Sequence, residues 1–103
     1  MSPEIKKLRK DYSDYLCWLG FAGNLLGNLT TMRLKVFIKD NHLNVQKKKN
    51  RRYIALEDVI NFRELRATSN VKRIKTIDDE QFIKIFKKAL KQPHRKIYYE
   101  SLN

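Results

Sequence analysis

The spacing of apolar residues along the first part of the chain predicts an amphipathic helix. Apolar side chains recur at i, i+3 and i+4 positions, and Ser2, Pro3 and Glu4 form a favourable helix start. The apolar positions are Ile5, Leu8, Tyr12, Tyr15, Leu16 and Leu19. Gly20 is expected to end this helix, and the glycines of the following "FAGNLLGN" favour a short helix or a loop.

A second, shorter helix is predicted over "MRLKVFIKD". Thr30 or Thr31 can cap its N-terminus, and Asn41 is placed to take the left-handed conformation at its end. The predicted inward face consists of Leu34, Phe37 and Ile38, and the basic residues elsewhere on the helix are Arg33, Lys35 and Lys39. The pattern therefore predicts a basic helix that packs through one face only.

The next stretch has the pattern of a β-hairpin. Short apolar segments, "LNV" and "YIA", flank the polar "QKKKNRR", and Asn50 suits a backbone position with positive φ. After the hairpin, "LEDVINFRELR" is predicted to be helical, with Glu57 and Asp58 near its positive N-terminus. Its expected inward residues are Leu56, Val59 and Phe62, with Leu65 as a further candidate.

The C-terminal part contains a candidate linker, "ATSNVKRIK", and a strongly amphipathic helix over "TIDDEQFIKIFKKALKQ". Thr76 and Asp79 form an approximate capping box, and Pro93 is expected to stop the helix. The apolar stripe is predicted to be either core or the seam of a homodimer, with Phe82, Ile83, Phe86 and Leu90 as the contacting residues. The final "RKIYYESLN" is compatible with a strand, a helix or a tail.

Composition supports one folded domain with a polyanionic partner. The chain has 103 residues, 42% of them apolar, and a net charge of +12. This charge points to nucleic acid or an anionic membrane surface. The longest apolar stretch, residues 15–29, contains three glycines and two asparagines and is too short to span a bilayer, so we expect it to be core. The single cysteine, Cys17, excludes an internal disulfide and favours an intracellular location, in cytoplasm, nucleoid or nucleus.

The positive charge is concentrated in the middle of the chain. Between Arg33 and Arg52 there are eight basic residues and one acidic residue, Asp40. A short helix with outward Arg33 and Lys35 could enter the major groove of a duplex. Contact with phosphates requires several cations at fixed positions, and the hairpin would supply Lys47, Lys48, Lys49, Arg51 and Arg52.

The segment "TTMRLKVFIKDNHLNVQKKKNRRYIALEDVINF" resembles the small winged-helix domains of the excisionase and MerR-like DNA-binding group. The matching motifs are "FIKDNHL", "NRRYI" and "EDVINF", and the resemblance covers about a third of the chain. Val36 stands where these domains commonly have a basic residue, and Asn41 and Asn50 replace usual glycines. The resemblance implies sequence-specific binding to duplex DNA by a transcription regulator or by a recombination or packaging factor.

Together these observations predict a mainly α fold with a small β-hairpin wing, a winged helix-turn-helix flanked by N- and C-terminal helices. The expected divisions of the single domain are an N-terminal helix (1–19), a winged-helix core (20–66), a linker (67–75) and a C-terminal helix with its tail (76–103). The predicted DNA-binding residues are Thr30, Thr31, Arg33, Lys35, Lys39, Lys47, Lys48, Lys49, Asn50, Arg51 and Arg52.

Two other readings of the basic region stay open. An unbroken helix over residues 30–49 would favour a histone-fold subunit that needs a partner chain, and the aromatic residues would suit an RNA- or ribosome-associated protein. A membrane-surface role is less favoured because the basic helices lack a Trp-rich apolar face. His42 and His94 are isolated, and no metal-ligand spacing or glycine-rich nucleotide loop occurs, so we expect neither catalysis nor a cofactor.

Overall fold

The computed structural model describes residues 3–40, 43–68 and 77–99. Within these ranges the fold is mixed, with five α-helices and a four-stranded antiparallel sheet. The helices are α1 (Pro3–Asp11), α2 (Leu19–Leu25), α3 (Thr31–Lys39), α4 (Leu56–Thr68) and α5 (Asp79–Leu90). The strands are β1 (Leu16–Trp18), β2 (Val45–Lys48), β3 (Arg51–Ala55) and β4 (Ile97–Tyr98). The expected hairpin is present and belongs to a larger sheet, and the expected helices are present, although the first is shorter than predicted.

The predicted N-terminal helix over residues 1–19 is wrong in its second half. Helix α1 ends at Asp11, and after a turn the chain enters β1, the third strand in the order β2-β3-β1-β4. Cys17 of β1 pairs with Ile54 on one side and with Ile97 on the other. These contacts bury the segment between two strands that are distant in sequence, and that pairing overrides the local helical spacing.

The hairpin is confirmed, with its reversal at the expected place. Strands β2 and β3 pair so that Lys48 lies opposite Arg51, and a two-residue turn joins them. Both turn residues have positive φ, 50° at Lys49 and 65° at Asn50, as the favoured hairpin turns require. Because α3 ends at Lys39 and a strand begins at Val45, the unbroken helix of a histone fold is not formed.

Helices α2 and α3 pack closely through a tight connection. The Leu29 amide donates a hydrogen bond to the Gly23 carbonyl oxygen over 2.9 Å, and a side chain at Gly23 would overlap the Leu29 carbonyl oxygen. Thr30 is the N-cap of α3, as expected, and its hydroxyl accepts the amide of Arg33 at 3.3 Å. The following Leu34 is fully buried, and it anchors α3 against the rest of the protein.

The main core lies between one face of the sheet and the helices. It receives side chains from all five helices and from β1, β3 and β4. In α5, Phe82 and Phe86 are fully buried and Ile83 is 8% exposed, while Leu90 is half-buried against the same core. The apolar stripe of α5 is therefore part of the chain's own core, and the predicted dimer seam is not an exposed surface. Leu65, an inward candidate, is 58% exposed.

Arg63 links α4 to the start of α5. Its side chain is 6% exposed, and it donates to the Ile77 carbonyl oxygen at 2.7 Å and forms an ion pair with Asp79 at 2.6 Å. Helix α5 begins later than expected, with Asp78 as its N-cap accepting the Gln81 amide at 2.8 Å.

Part of the C-terminal prediction concerns residues outside the described ranges. Thr76 and residues 69–75 of the predicted linker lie outside them, whereas residues 67 and 68 belong to α4. Beyond α5, the segment that was ambiguous in the sequence includes the short strand β4. Every helix in the described part of the chain is too short to cross a membrane.

Candidate nucleic-acid interface

Helix α3 carries three basic residues on its exposed side. Arg33, Lys35 and Lys39 are exposed, as predicted. Phe37 and Ile38 are half-buried against the core, and the ring of Phe37 lies 4.9 Å from that of Phe62. The helix is therefore held by one side, and its cationic side chains are directed outward.

The hairpin distributes its cations over both faces of the sheet because successive strand residues alternate. Lys47 and Arg52 are cross-strand neighbours on the face that also contains the core residue Ile54. Lys48 and Arg51 pair on the opposite face. Lys49 and Asn50 form the exposed turn between the strands. The five basic residues of the hairpin therefore do not form one surface.

An open groove separates the hairpin turn from the N-terminal half of α3. We call it the α3–hairpin groove, and its lining residues are Trp18, Leu19, Gly20, Thr31, Lys35, Asn50, Arg51 and Arg52. Five of the predicted DNA-binding residues thus meet here: Thr31, Lys35, Asn50, Arg51 and Arg52. Lys48 instead lines a separate cleft, together with Gln46 and Tyr98.

Arg51 is fixed in place by its neighbours. The centre of its guanidinium lies 4.8 Å from the centroid of the Trp18 ring and 6.0 Å from that of Tyr53, which are cation–π distances. The guanidinium also donates to the carbonyl oxygen of Arg95 at 3.2 Å. Gly20 leaves room for the indole, since a β-carbon there would lie 2.6 Å from a Trp18 ring atom. Arg51 therefore connects the hairpin to β1 and to the segment before β4.

Most of the other predicted contact residues have unengaged side chains. Within the described ranges, no ion pair or side-chain hydrogen bond involves Arg33, Lys35, Lys39, Lys47, Lys49 or Arg52. Thr30 differs, because its hydroxyl caps α3. These cations repel one another in the free protein, and binding of an anionic partner would relieve that repulsion.

Three exposed apolar residues, one on β1 and two on α3, were not predicted as site residues. Trp18 is 38% exposed, Met32 is 79% exposed and Val36 is 56% exposed. Met32 and Val36 could have been found in the sequence, because the predicted inward face of α3 already left both of them outside. Trp18 gave no such signal, since an indole in an apolar stretch is compatible with either location.

The described residues offer no candidate metal site. They contain no group of three or more His, Cys, Asp or Glu side chains that could hold a metal ion. Cys17 is fully buried, as expected, and burial raises the pKa of its thiol, which keeps it protonated and unreactive. His42 lies outside the described residues.

Comparison of the chain with protein-family models, with curated proteins and with solved structures finds no match. The function of the protein must therefore be inferred from the geometry and charge of the α3–hairpin region.

Proposed function

We propose that this protein binds duplex DNA sequence-specifically as a winged helix-turn-helix protein, with α3 in the major groove and the hairpin against the sugar–phosphate backbone. In this proposal α2 and α3 form the helix-turn-helix and the β2–β3 hairpin is the wing. The role that follows is that of a transcription regulator or an accessory factor in recombination or packaging.

The attachment of α3 supports this proposal. A helix can enter the major groove only if one side of it is free along its length. On the inner side of α3, Leu34 is buried and Phe37 and Ile38 are half-buried. The other residues of the helix, from Thr31 to Lys39, are exposed. The residues in the first turn of such helices contact base edges, and Arg33 occupies this part of α3.

The observation with the greatest weight is the α3–hairpin groove. Lys35 of one element and Arg52 of another both line it, and neither side chain has an ionic partner among the described residues. The turn of the hairpin has only two residues, Lys49 and Asn50. Next to it, the contact between Arg51 and Trp18 holds this end of the hairpin against β1. Cations held at fixed positions on two adjacent elements suit the regular spacing of duplex phosphates.

Single-stranded RNA is a second candidate ligand, and one observation favours it. The indole of Trp18 is 38% exposed and lines the groove beside Arg51, and exposed aromatic rings next to cations stack on unpaired bases. Against this, Trp18 is the only aromatic ring among the described residues that line the groove, whereas single-strand binding surfaces commonly present several.

Selection of bound sequences from a pool of random duplex DNA tests the proposal. The expected result is enrichment of a defined sequence, and an enriched repeat would also give the stoichiometry. The affinity for that sequence should fall with salt at a log–log slope of about −4 to −6, because about that many phosphates would be neutralised. An excess of single-stranded RNA should compete weakly. No enrichment, or stronger competition by RNA than by duplex DNA, would contradict the proposal.

The contribution of Arg33 is tested in the same assay. Repeating the selection with the Arg33→Ala variant should relax the preference at one position of the enriched sequence, because a side chain that contacts a base edge determines that base. An unchanged enriched sequence would remove Arg33 from the set of base-contacting residues.

A further inference from the structure

The outermost line of α3 is apolar, although the helix is otherwise basic. Met32 is 79% exposed and Val36 is 56% exposed. The two residues are one turn apart and lie about 40° from each other around the helix axis, since successive residues are about 100° apart. The buried Leu34 and the half-buried Ile38 point to the opposite side. Met32 and Val36 therefore lie farthest from the core.

Cations flank this apolar line on both sides. Lys35 lies on the side of the helix that faces the hairpin, where it lines the α3–hairpin groove with Thr31. Arg33 is about 160° from Lys35 around the helix axis and projects on the other side. A helix in the major groove directs its outermost line at the base edges, and long side chains on its flanks reach either neighbouring base edges or the phosphate walls. The apolar residues of α3 thus occupy the positions that would face bases.

The major groove offers one apolar group, the C5-methyl group of thymine. We infer that Met32 and Val36 are specificity-determining residues that contact thymine methyl groups, so that the bound duplex contains thymine at the positions under the centre of α3. This inference rests on the proposed function and adds to it the class of base pair recognised. It also accounts for an apolar residue at Val36, where the winged-helix domains that the sequence resembles commonly have a basic one.

A second copy of this chain is a less suitable partner for the same face. A symmetric contact through Met32 and Val36 would bring the two copies of α3 together. Arg33, Lys35 and Lys39 of one copy would then approach the same residues of the other, and like charges in contact oppose association. The basic residues beside Met32 and Val36 instead favour a polyanionic partner that presents an apolar group between its negative charges.

The test replaces thymine by deoxyuridine, which removes only the methyl group and leaves the hydrogen-bonding groups of the base pair unchanged. The probe is the duplex most enriched in the random selection, labelled with fluorescein, with its thymines replaced one at a time. Binding of the full chain is followed by fluorescence anisotropy at constant salt. We expect about a fourfold loss of affinity for each contacted methyl, the effect that burial of one such group gives.

Variants of the protein complete the test. Val36→Ala and Met32→Ala should each abolish the preference for thymine over uracil at one position, because the methyl and its partner act as a pair. Leu65→Ala is the matched control: Leu65 is 58% exposed on α4, and its removal should leave the preference intact. Circular dichroism of each variant should match the parent, since both α3 side chains are exposed.

Two results would overturn the inference and leave DNA binding standing: specific binding with no uracil effect at any position, or alanine variants that keep the full thymine preference. Failure to bind any duplex would overturn this inference together with the proposed function. Sedimentation that shows a dimer of the free protein, lost in Val36→Ala, would overturn it in favour of a second copy on this face.

Discussion

The guanidinium of Arg51 lies 4.8 Å from the centre of the Trp18 ring, on the opposite face of the hairpin from the next residue, Arg52. Two adjacent arginines of one strand thus have different surroundings. Arg51 is held between an aromatic ring and the Arg95 carbonyl oxygen, whereas Arg52 is exposed and lacks an ionic partner among the described residues.

The two arginines should therefore respond oppositely to substitution. Arg51→Ala is expected to lower the free energy of unfolding by about 1–2 kcal/mol, the combined effect of a cation–π contact and a hydrogen bond. Arg52→Ala should change it by less than about 0.5 kcal/mol and should weaken DNA binding more. Urea denaturation and anisotropy of both variants measure this, and equal stability losses would contradict the distinction.

The hairpin lysines should determine much of the salt dependence of binding. Replacing Lys47, Lys48 and Lys49 with alanine should reduce the log–log salt slope by about 1–2, because Lys47 and Lys48 lie on opposite faces of the hairpin and do not both reach one duplex. Binding to all duplexes should weaken similarly, since phosphate contacts do not depend on sequence.

A matched control removes the same charge from another surface. Lys84, Lys87 and Lys88 are exposed on α5. Their replacement with alanine should leave the salt slope nearly unchanged. If both triple variants lose the same affinity, net charge rather than the hairpin governs binding.

Arg63 should be the most sensitive charged residue for stability. Its side chain is 6% exposed, contacts the Phe82 ring and joins Asp79 of α5. Arg63→Ala is expected to cost about 2–4 kcal/mol, because it removes buried hydrogen bonds as well as the ion pair. The comparison is Arg9→Ala, which breaks a more exposed pair with Glu57, 2.8 Å long and worth less than about 1 kcal/mol. Thermal denaturation of the two variants distinguishes them, and similar losses would contradict a linking role for Arg63.

The buried thiol of Cys17 should make stability depend on alkaline pH. Burial raises the pKa of Cys17 in the folded protein above its ordinary value of 9.0, so the unfolded chain loses the proton first. Above about pH 9 the unfolded state therefore gains stability, and the free energy of unfolding falls by up to about 1.4 kcal/mol per pH unit.

Other groups titrate in the same range, so the measurement is a difference. The Cys17→Ala variant lacks this thiol, and its stability should fall less steeply with pH than that of the parent. Urea denaturation of both proteins between about pH 8 and about pH 10 gives the two slopes. Parallel curves would show that the thiol ionises alike in both states.

The sequence predicted those elements whose cause is local. Thr30 caps α3 through its own hydroxyl, and the hairpin turn follows from Asn50 between two short apolar segments. The basic outer face of α3 follows from the helical spacing of Leu34, Phe37 and Ile38. In each case the determining residues lie within a few positions of one another, so local spacing and turn preferences are enough to predict the element.

The errors arose where distant segments meet. Leu16 and Cys17 fit the spacing of the first helix, but in the fold they pair with Ala55 and Ile54 of β3. A three-residue strand has too little length to show a period of its own. Similarly, neither the fixation of Arg51 by Trp18 nor the burial of Arg63 against Phe82 could be deduced from spacing, because both depend on contacts between separate elements.

Among the strands in the described part of the chain, β2 lies at one edge of the sheet, and this position gives its lysines a second role. An edge strand has backbone amides and carbonyls without partners, so another molecule can add a strand to it. Such pairing is the first step towards insoluble fibres. Lys47 and Lys48 place charge along that edge, so each molecule repels its neighbours there. The side chains proposed to hold nucleic acid would thus also keep the free protein from self-polymerising in crowded surroundings.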